Sequence, residues 1–90
     1  MNTDNDEEYT SVASEQIVEL SMLRTNEFGT IASIYGGEGI RNKLAMHGLE
    51  VGGVIRVISN CGPVTVDVNR TTTSIGRGMA RKILVRRGRS

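Results

Sequence analysis

One stretch of this sequence reads as a helix between two strands, and it limits the folds that the chain can adopt. Residues 36–53 (GGEGIRNKLAMHGLEVGG) carry glycines at both ends. Ile40, Leu44 and His47 fall at positions i, i+4 and i+7, which gives the start of the stretch an apolar helical face. We therefore predict an α-helix over about residues 38–47, inserted after the first strand of a small β domain.

The end of this helix has a specific signal in Gly48. A glycine just past a helix often adopts the left-handed conformation of a Schellman motif, in which the next residue packs back against the last turn. That next residue is Leu49, and its expected contact is Leu44. The motif predicts that the end of the helix is fixed to the core.

Short β-branched segments separated by turn signals make up most of the remaining chain, and they predict a mainly β fold. The clearest is 64–68, where three valines alternate with polar residues. The segment after the helix has few polar residues, which suits a strand buried on both faces or a strand at a barrel corner. A strand-like start followed by a turn is predicted at 17–26, and one helical turn before the last strand at 79–82. The five predicted strands are 28–35, 54–59, 64–68, 71–75 and 83–86, arranged as a small barrel or curled sheet with one inserted α-helix.

The chain divides into three parts by composition, and 90 residues allow one core. Residues 1–16 are acidic and lack a hydrophobic period, so we predict a disordered arm. Residues 17–87 form the predicted barrel domain, and 88–90 a basic tail. A lone cysteine and no apolar run of about 20 residues favour a soluble, cytoplasmic protein.

The charges are unevenly distributed. Residues 1–20 hold six acidic and no basic side chains, so the other seventy residues carry 11 basic and 4 acidic ones, a formal charge of +7. Basic residues are densest near the end of the chain. Arg77, Arg81, Arg86 and Arg87 are therefore candidate contacts for an anion or an acidic partner, although charged strand faces are usually only solvated.

The residue types do not predict an enzyme. A nucleophilic site needs a base and a group that orients it, and the chain has one histidine, His47, and one cysteine, Cys61. These two side chains are weak candidates for a metal site, to which carboxylates of the acidic segment at residues 1–16 could add further ligands for Fe²⁺ or Zn²⁺. We predict no catalytic residue, no small-molecule substrate and no cofactor beyond loosely bound Fe²⁺ or Zn²⁺.

Two features of the sequence are typical of phosphate binding: glycines before a helix, and a basic barrel. The glycines at 36, 37 and 39 precede a helix, but the dinucleotide and Walker spacings are absent, so a flexible connection is favoured. A small basic barrel that binds nucleic acid through the four arginines is an alternative function. Such barrels usually stack bases on aromatic side chains, and this one offers few besides Phe28, expected to pack inward, and Tyr35.

Three segments together resemble the ferrous iron transport protein A (FeoA) family. These are the Leu-Ser-x-Leu sequence at 20–23 followed by GTIASI, the glycine-bracketed helix, and the closing stretch NRTTTSIGRGMARKILV. The resemblance covers about residues 20–85. The chain departs from the family pattern at Thr25-Asn26, at Gly76 and Gly78, and in its acidic arm.

The resemblance implies an SH3-like barrel and a non-enzymatic accessory role in ferrous iron uptake. The implied partner is FeoB, a membrane transporter with a nucleotidase domain, and any membrane association would run through it. The related domain of iron-dependent repressors makes a metal-linked regulatory domain a further alternative. We expect a monomer or weak homo-oligomer, whose predicted partner-binding residues are Ile40, Arg41, Lys43, Leu44 and His47.

Overall fold

The computed structural model describes residues 16–88 of the chain. The predicted acidic arm and most of the predicted basic tail therefore lie outside the described residues. In chain order, the elements of the described part are β1 (Ile17–Glu19), a 3-10 helix (Leu20–Met22), β2 (Phe28–Ile34), α1 (Glu38–Ala45), β3 (Val54–Asn60), β4 (Val64–Val68), β5 (Thr71–Ile75), α2 (Arg77–Ala80) and β6 (Ile83–Arg87).

The strands form one antiparallel sheet in the order β1-β6-β2-β3-β4-β5. β1 and β5 are its two edges and do not pair with each other. The sheet nevertheless curls, because α2, which follows β5, contacts the 3-10 helix that follows β1. The predicted mainly β fold with a barrel-like sheet is confirmed. The strand beyond the predicted five is β1, from the segment whose strand-like start was expected.

The core lies inside this curled sheet and is entirely aliphatic. β4 follows the predicted alternation, with its three valines buried and the residues between them partly exposed. Phe28 is only partly buried and Tyr35 is exposed, so neither aromatic ring belongs to the core. The buried apolar residues are Leu20, Leu23, Ile31, Ile34, Leu44, Leu49, Ile55, Val57, Val64, Val66, Val68, Ile75, Ala80, Ile83 and Val85.

β3 does not follow the first of its two predicted alternatives, burial on both faces. Ile55 and Val57 are buried, but Val54 is 50% exposed, so the strand is buried on one face and not on both. A register shift against β4 follows Val57, and it places Ile58 between two paired residues. The apolar sequence of β3 therefore reflects an irregular strand, since a bulge breaks the simple alternation that one buried face would otherwise require.

The end of α1 has the predicted Schellman geometry. Gly48 has a φ of 85°, in the left-handed region. Its amide donates to the carbonyl of Ala45, and the amide of Leu49 donates to the carbonyl of Leu44, both at 2.9 Å. Leu44 and Leu49 are buried in the same core. The helix itself ends at Ala45, two residues before the predicted position, because the last turn tightens into i to i−3 hydrogen bonds.

The helical turn before the last strand starts two residues earlier than predicted. α2 covers residues 77–80, and Gly76 is its N-cap residue with ordinary extended backbone. A Cβ atom at Gly76 or Gly78 would meet no atom within 4 Å. The two glycines that depart from the family pattern therefore occupy positions where other residues would also fit.

Candidate interaction surface

The turn that leads into α1 contains a glycine whose backbone conformation other residues rarely adopt. Gly36 has a φ of 137°, and a Cβ atom there would lie 2.8 Å from Cδ1 of Ile40. A side chain at this position would therefore collide with the first turn of the helix. Gly37 then serves as the N-cap residue, and Glu38 places a carboxylate in the first turn, where the helix dipole favours negative charge.

The five residues predicted to bind a partner divide into exposed and buried positions. Arg41 and Lys43 are exposed on α1, and His47 is exposed just past its end, as expected. Ile40 is partly buried and packs against the core, and Leu44 is 6% exposed within the core. The three basic positions are therefore available at the surface, whereas Leu44 supports the helix from below.

A groove runs between α1 and the end of β5. It is a half-open cleft of about 170 Å³. Lys43 and His47 form its basic side and Thr73 and Ser74 supply hydroxyl groups, while none of its lining residues is acidic. Its lining residues are Lys43, Leu44, His47, Thr73, Ser74, Ile75, Gly76 and Met79. Such a groove is suited to a segment that combines an apolar side chain with negative charge.

The four arginines of the predicted anion-contact set are not equivalent. Arg77 donates through Nη1 to Oδ1 of Asn60 at 2.6 Å and to the carbonyl of Gly62 at 2.8 Å. Its Nη2 lies 3.4 Å from the carbonyl oxygen of Ser21. These acceptors belong to the described domain itself, so Arg77 connects α2 to the β3–β4 turn and to the 3-10 helix.

Asn60 completes this set of contacts and was not identified in the sequence. Its Nδ2 donates to the carbonyls of Ser21 and Leu23, at 3.1 and 2.6 Å. Asn60 and Arg77 together satisfy backbone acceptors near the place where the two ends of the sheet approach each other. We refer to Asn60 and Arg77 with these acceptors as the seam cluster.

Arg87 is also held by neighbouring residues. Its Nε lies 2.6 Å from Oε2 of Glu27, and its Nη1 lies 3.3 Å from Oε1 of Gln16. Burial would raise the pKa of Glu27, but hydrogen bonds from the Arg24 amide and from Arg87 outweigh it and lower the pKa below its usual value. Arg81 and Arg86 are the exposed members of the predicted set.

The two candidate metal ligands lie apart. Cys61 is exposed in the β3–β4 turn, at the start of β4. His47 precedes Gly48, which lies against Val68 at the other end of β4. A five-residue strand separates these ends by roughly 13 Å, too far for one ion. Residues 16–88 contain no group of three histidine, cysteine or acidic side chains that could hold a metal ion.

Comparison with known proteins agrees with the resemblance noted in the sequence. The model of the FeoA domain matches residues 18–87, which is most of the chain. The chain belongs to the FeoA family. Members of this family function in ferrous iron transport, and the family is one of small accessory proteins.

Individual relatives agree with this assignment. This FeoA chain is 33% identical over 67 residues to a Methanocaldococcus jannaschii protein provisionally named Fe(2+) transport protein A, which covers 73% of the chain and 82% of the relative. The crystal structure of an iron uptake regulatory protein (FeoA) superposes with a TM-score of 0.76 at 33% identity, over 80% of this chain and 97% of the other. The SH3-like fold is thereby confirmed.

The fold also occurs in a repressor. A manganese-dependent transcriptional repressor matches with a TM-score of 0.74 at 22% identity, over 81% of this chain and 42% of the repressor. At this identity the likeness concerns the fold alone. Within residues 16–88, no helix is long and apolar enough to cross a membrane.

Proposed function

We propose that this FeoA protein is a cytoplasmic interaction module that binds the ferrous iron transporter FeoB and carries out no chemistry itself. The proposed contact is the exposed side of α1 together with the groove between α1 and β5. Family membership supports a role in ferrous iron transport. The observation that carries the proposed site is the groove itself, where a basic side, two hydroxyl groups and an apolar floor meet.

The residues of the proposed contact have different physical roles, and Arg41 lies outside the groove. Arg41, Lys43 and His47 are exposed and can meet carboxylates of a partner without unpacking the domain. Ile75 and Leu44 are buried at the floor, where their substitution would destabilise the fold and resemble a loss of binding. The exposed basic residues are therefore the positions at which binding can be tested separately from folding.

The experiment is a pull-down of FeoB by tagged protein carrying Arg41→Glu and Lys43→Glu. We expect this double charge reversal to reduce the recovered FeoB at least about tenfold, because two favourable charge contacts become repulsive. The thermal midpoint should change little, since both side chains are exposed. A circular dichroism melt of each protein measures the second quantity.

The matched control is Arg81→Glu with Lys82→Glu, which reverses two exposed charges beyond α2. The control should recover as much FeoB as the unchanged protein. If the α1 variant retains full recovery, the proposed surface is wrong. If only the control loses recovery, the contact lies at the α2–β6 junction and includes Arg81.

A further inference from the structure

We propose that the groove between α1 and β5 is a docking site for an extended acidic segment, and that its occupant in the free protein is residues 1–15 of this same chain. This inference goes beyond the transporter contact, because it needs no second protein. It rests on the charge of the groove, on the open edge of β5 and on the sequence that precedes β1.

The basic side of the groove has no acidic counterpart in the described domain. The ion pairs found within residues 16–88 are Arg56 with Asp67 and Arg87 with Glu27. Lys43 takes part in neither of them, and the groove has no acidic lining residue. A carboxylate brought to this side would therefore meet a positive charge that is not already neutralised by an ion pair.

The other side of the groove is an unpaired strand edge. β5 is the last strand of the sheet and pairs only with β4. No backbone hydrogen bond connects its outer edge to any other segment within residues 16–88. Thr73, Ser74 and Ile75 of this strand line the groove. An extended peptide can satisfy such an edge with its own backbone while its side chains enter the adjacent cleft.

The sequence before β1 has the matching chemistry. Residues 1–15 contain five acidic and no basic side chains, four of them between positions 4 and 8. Tyr9 and Val12 follow this acidic run and can supply an apolar side chain for the floor of the cleft. The same segment therefore offers both properties for which the groove is suited.

The segment is also long enough to reach the groove. Fifteen residues span up to about 50 Å when extended, whereas a domain of this size has a radius of gyration of roughly 11 Å. The 3-10 helix just after β1 contacts α2, and Met79 of α2 lines the groove. Residue 16 lies beside Arg87, at the end of β6 away from α2, so the segment has to run back along β1 to reach the groove, a distance within its extended length.

The groove suits the segment better than the basic residues near the end of the chain do. Arg77 and Arg87 already donate to acceptors within the domain. Arg81 and Arg86 are exposed and could attract carboxylates, but they do not line the groove, with its apolar floor and open strand edge. Charge alone would leave the segment distributed among several sites, whereas the groove combines a positive charge, an apolar floor and a neighbouring edge strand.

The test uses paramagnetic relaxation in the full chain. Cys61 is replaced by serine, and a spin label is attached to a new cysteine introduced as Ser11→Cys. Residues 16–19 adjoin the labelled segment and residues 84–88 pair with or follow them, so signal loss in both ranges is expected from the tether alone. Outside these ranges, we expect selective loss of amide signal at residues 43–47 and 73–79. At about 1 M NaCl, where the Debye length is about 3 Å, this loss should largely disappear.

Charge variants identify the contact. Lys43→Glu with His47→Glu should abolish the selective signal loss, and Arg81→Glu with Lys82→Glu should leave it unchanged. Signal loss that is absent, spread over the whole surface or centred elsewhere would overturn the proposal. To test docking on a second copy, spin-labelled chains without isotope label are mixed with isotope-labelled chains that carry no spin label. Selective loss in that mixture would equally overturn it.

Discussion

Two consecutive residues with left-handed backbone form the turn between β4 and β5. Asn69 has a φ of 51° and Arg70 a φ of 67°, and Val68 pairs with Thr71 across the two-residue loop. Positive φ at both positions is the signature of a type I′ turn, whose twist matches that of the flanking strands. Asparagine tolerates this conformation, whereas arginine adopts it at an energetic cost.

Replacing Arg70 with glycine should therefore stabilise the domain. Relief of the left-handed strain exceeds the added entropy of the unfolded glycine, and we expect a gain of about 0.5–1 kcal/mol. The thermal midpoint should rise by several degrees, as measured by circular dichroism. Arg70→Ala removes the same charge but keeps a Cβ atom. An equal gain in that control would show that strain is not the cause.

The lowered pKa of Glu27 predicts how the free energy of unfolding depends on pH. Its pKa is lower in the folded protein than the usual value of 4.5. Its contribution is therefore complete above that value and is lost as pH falls through the lower, folded pKa. Glu27→Gln should cost about 1 kcal/mol at pH 7, and the free energies of unfolding of the two proteins in urea should converge as the pH falls below the lowered pKa of Glu27. A constant difference at all pH values would contradict this role.

At the scale of the elements, short-range sequence patterns were sufficient to predict helices and strands whose structure depends on nearby residues. The spacing of Ile40 and Leu44 and the glycine at 48 predicted α1 and its end, and the valines of β4 predicted its buried face. The exact end of α1 was missed because the last turn tightens. The sequence left two alternatives open for β3, because its bulge depends on pairing with β4, which its own sequence does not encode.

The candidate site was predictable only in part, for the same physical reason. Helical spacing identified the basic residues of α1 as exposed, but the groove also needs β5 and α2, which lie some thirty residues further along the chain. Arg77 was interpreted by its charge as a surface contact. Its acceptors at Asn60 and Ser21 lie 17 and 56 residues away in sequence, and no local pattern indicates such pairs.

The seam cluster gives a prediction about how these elements are held together. Replacing Arg77 with methionine keeps much of the side-chain length but removes the donor to Oδ1 of Asn60 and to the carbonyl of Gly62, while the Ser21 carbonyl keeps its hydrogen bond from Asn60. We expect a loss of about 1–3 kcal/mol in urea unfolding. Arg81→Met, at an exposed position of the same segment, should change stability by less than about 0.5 kcal/mol. Equal effects of the two substitutions would contradict a structural role for Arg77.

At the scale of the whole molecule, each strand of the sheet pairs with its neighbours, but the two edge strands, β1 and β5, do not pair with each other. The contact between α2 and the 3-10 helix, with the seam cluster, takes the place of hydrogen bonds between β1 and β5. The edge of β5 is thereby left open beside the basic residues of α1. Because side chains and not strand pairing bring the two ends of the sheet together, β5 keeps an unpaired edge within residues 16–88.

This closure has a consequence for the speed of folding and unfolding. The contact between residues 21 and 77 closes a loop that contains most of the domain. The conformational entropy of this loop is lost before the contact can stabilise the fold. The hairpins formed by β3, β4 and β5 involve far nearer residues and should form earlier. Weakening Arg77 should therefore accelerate unfolding while leaving the refolding rate almost unchanged, which makes this region the control point for the lifetime of the native state.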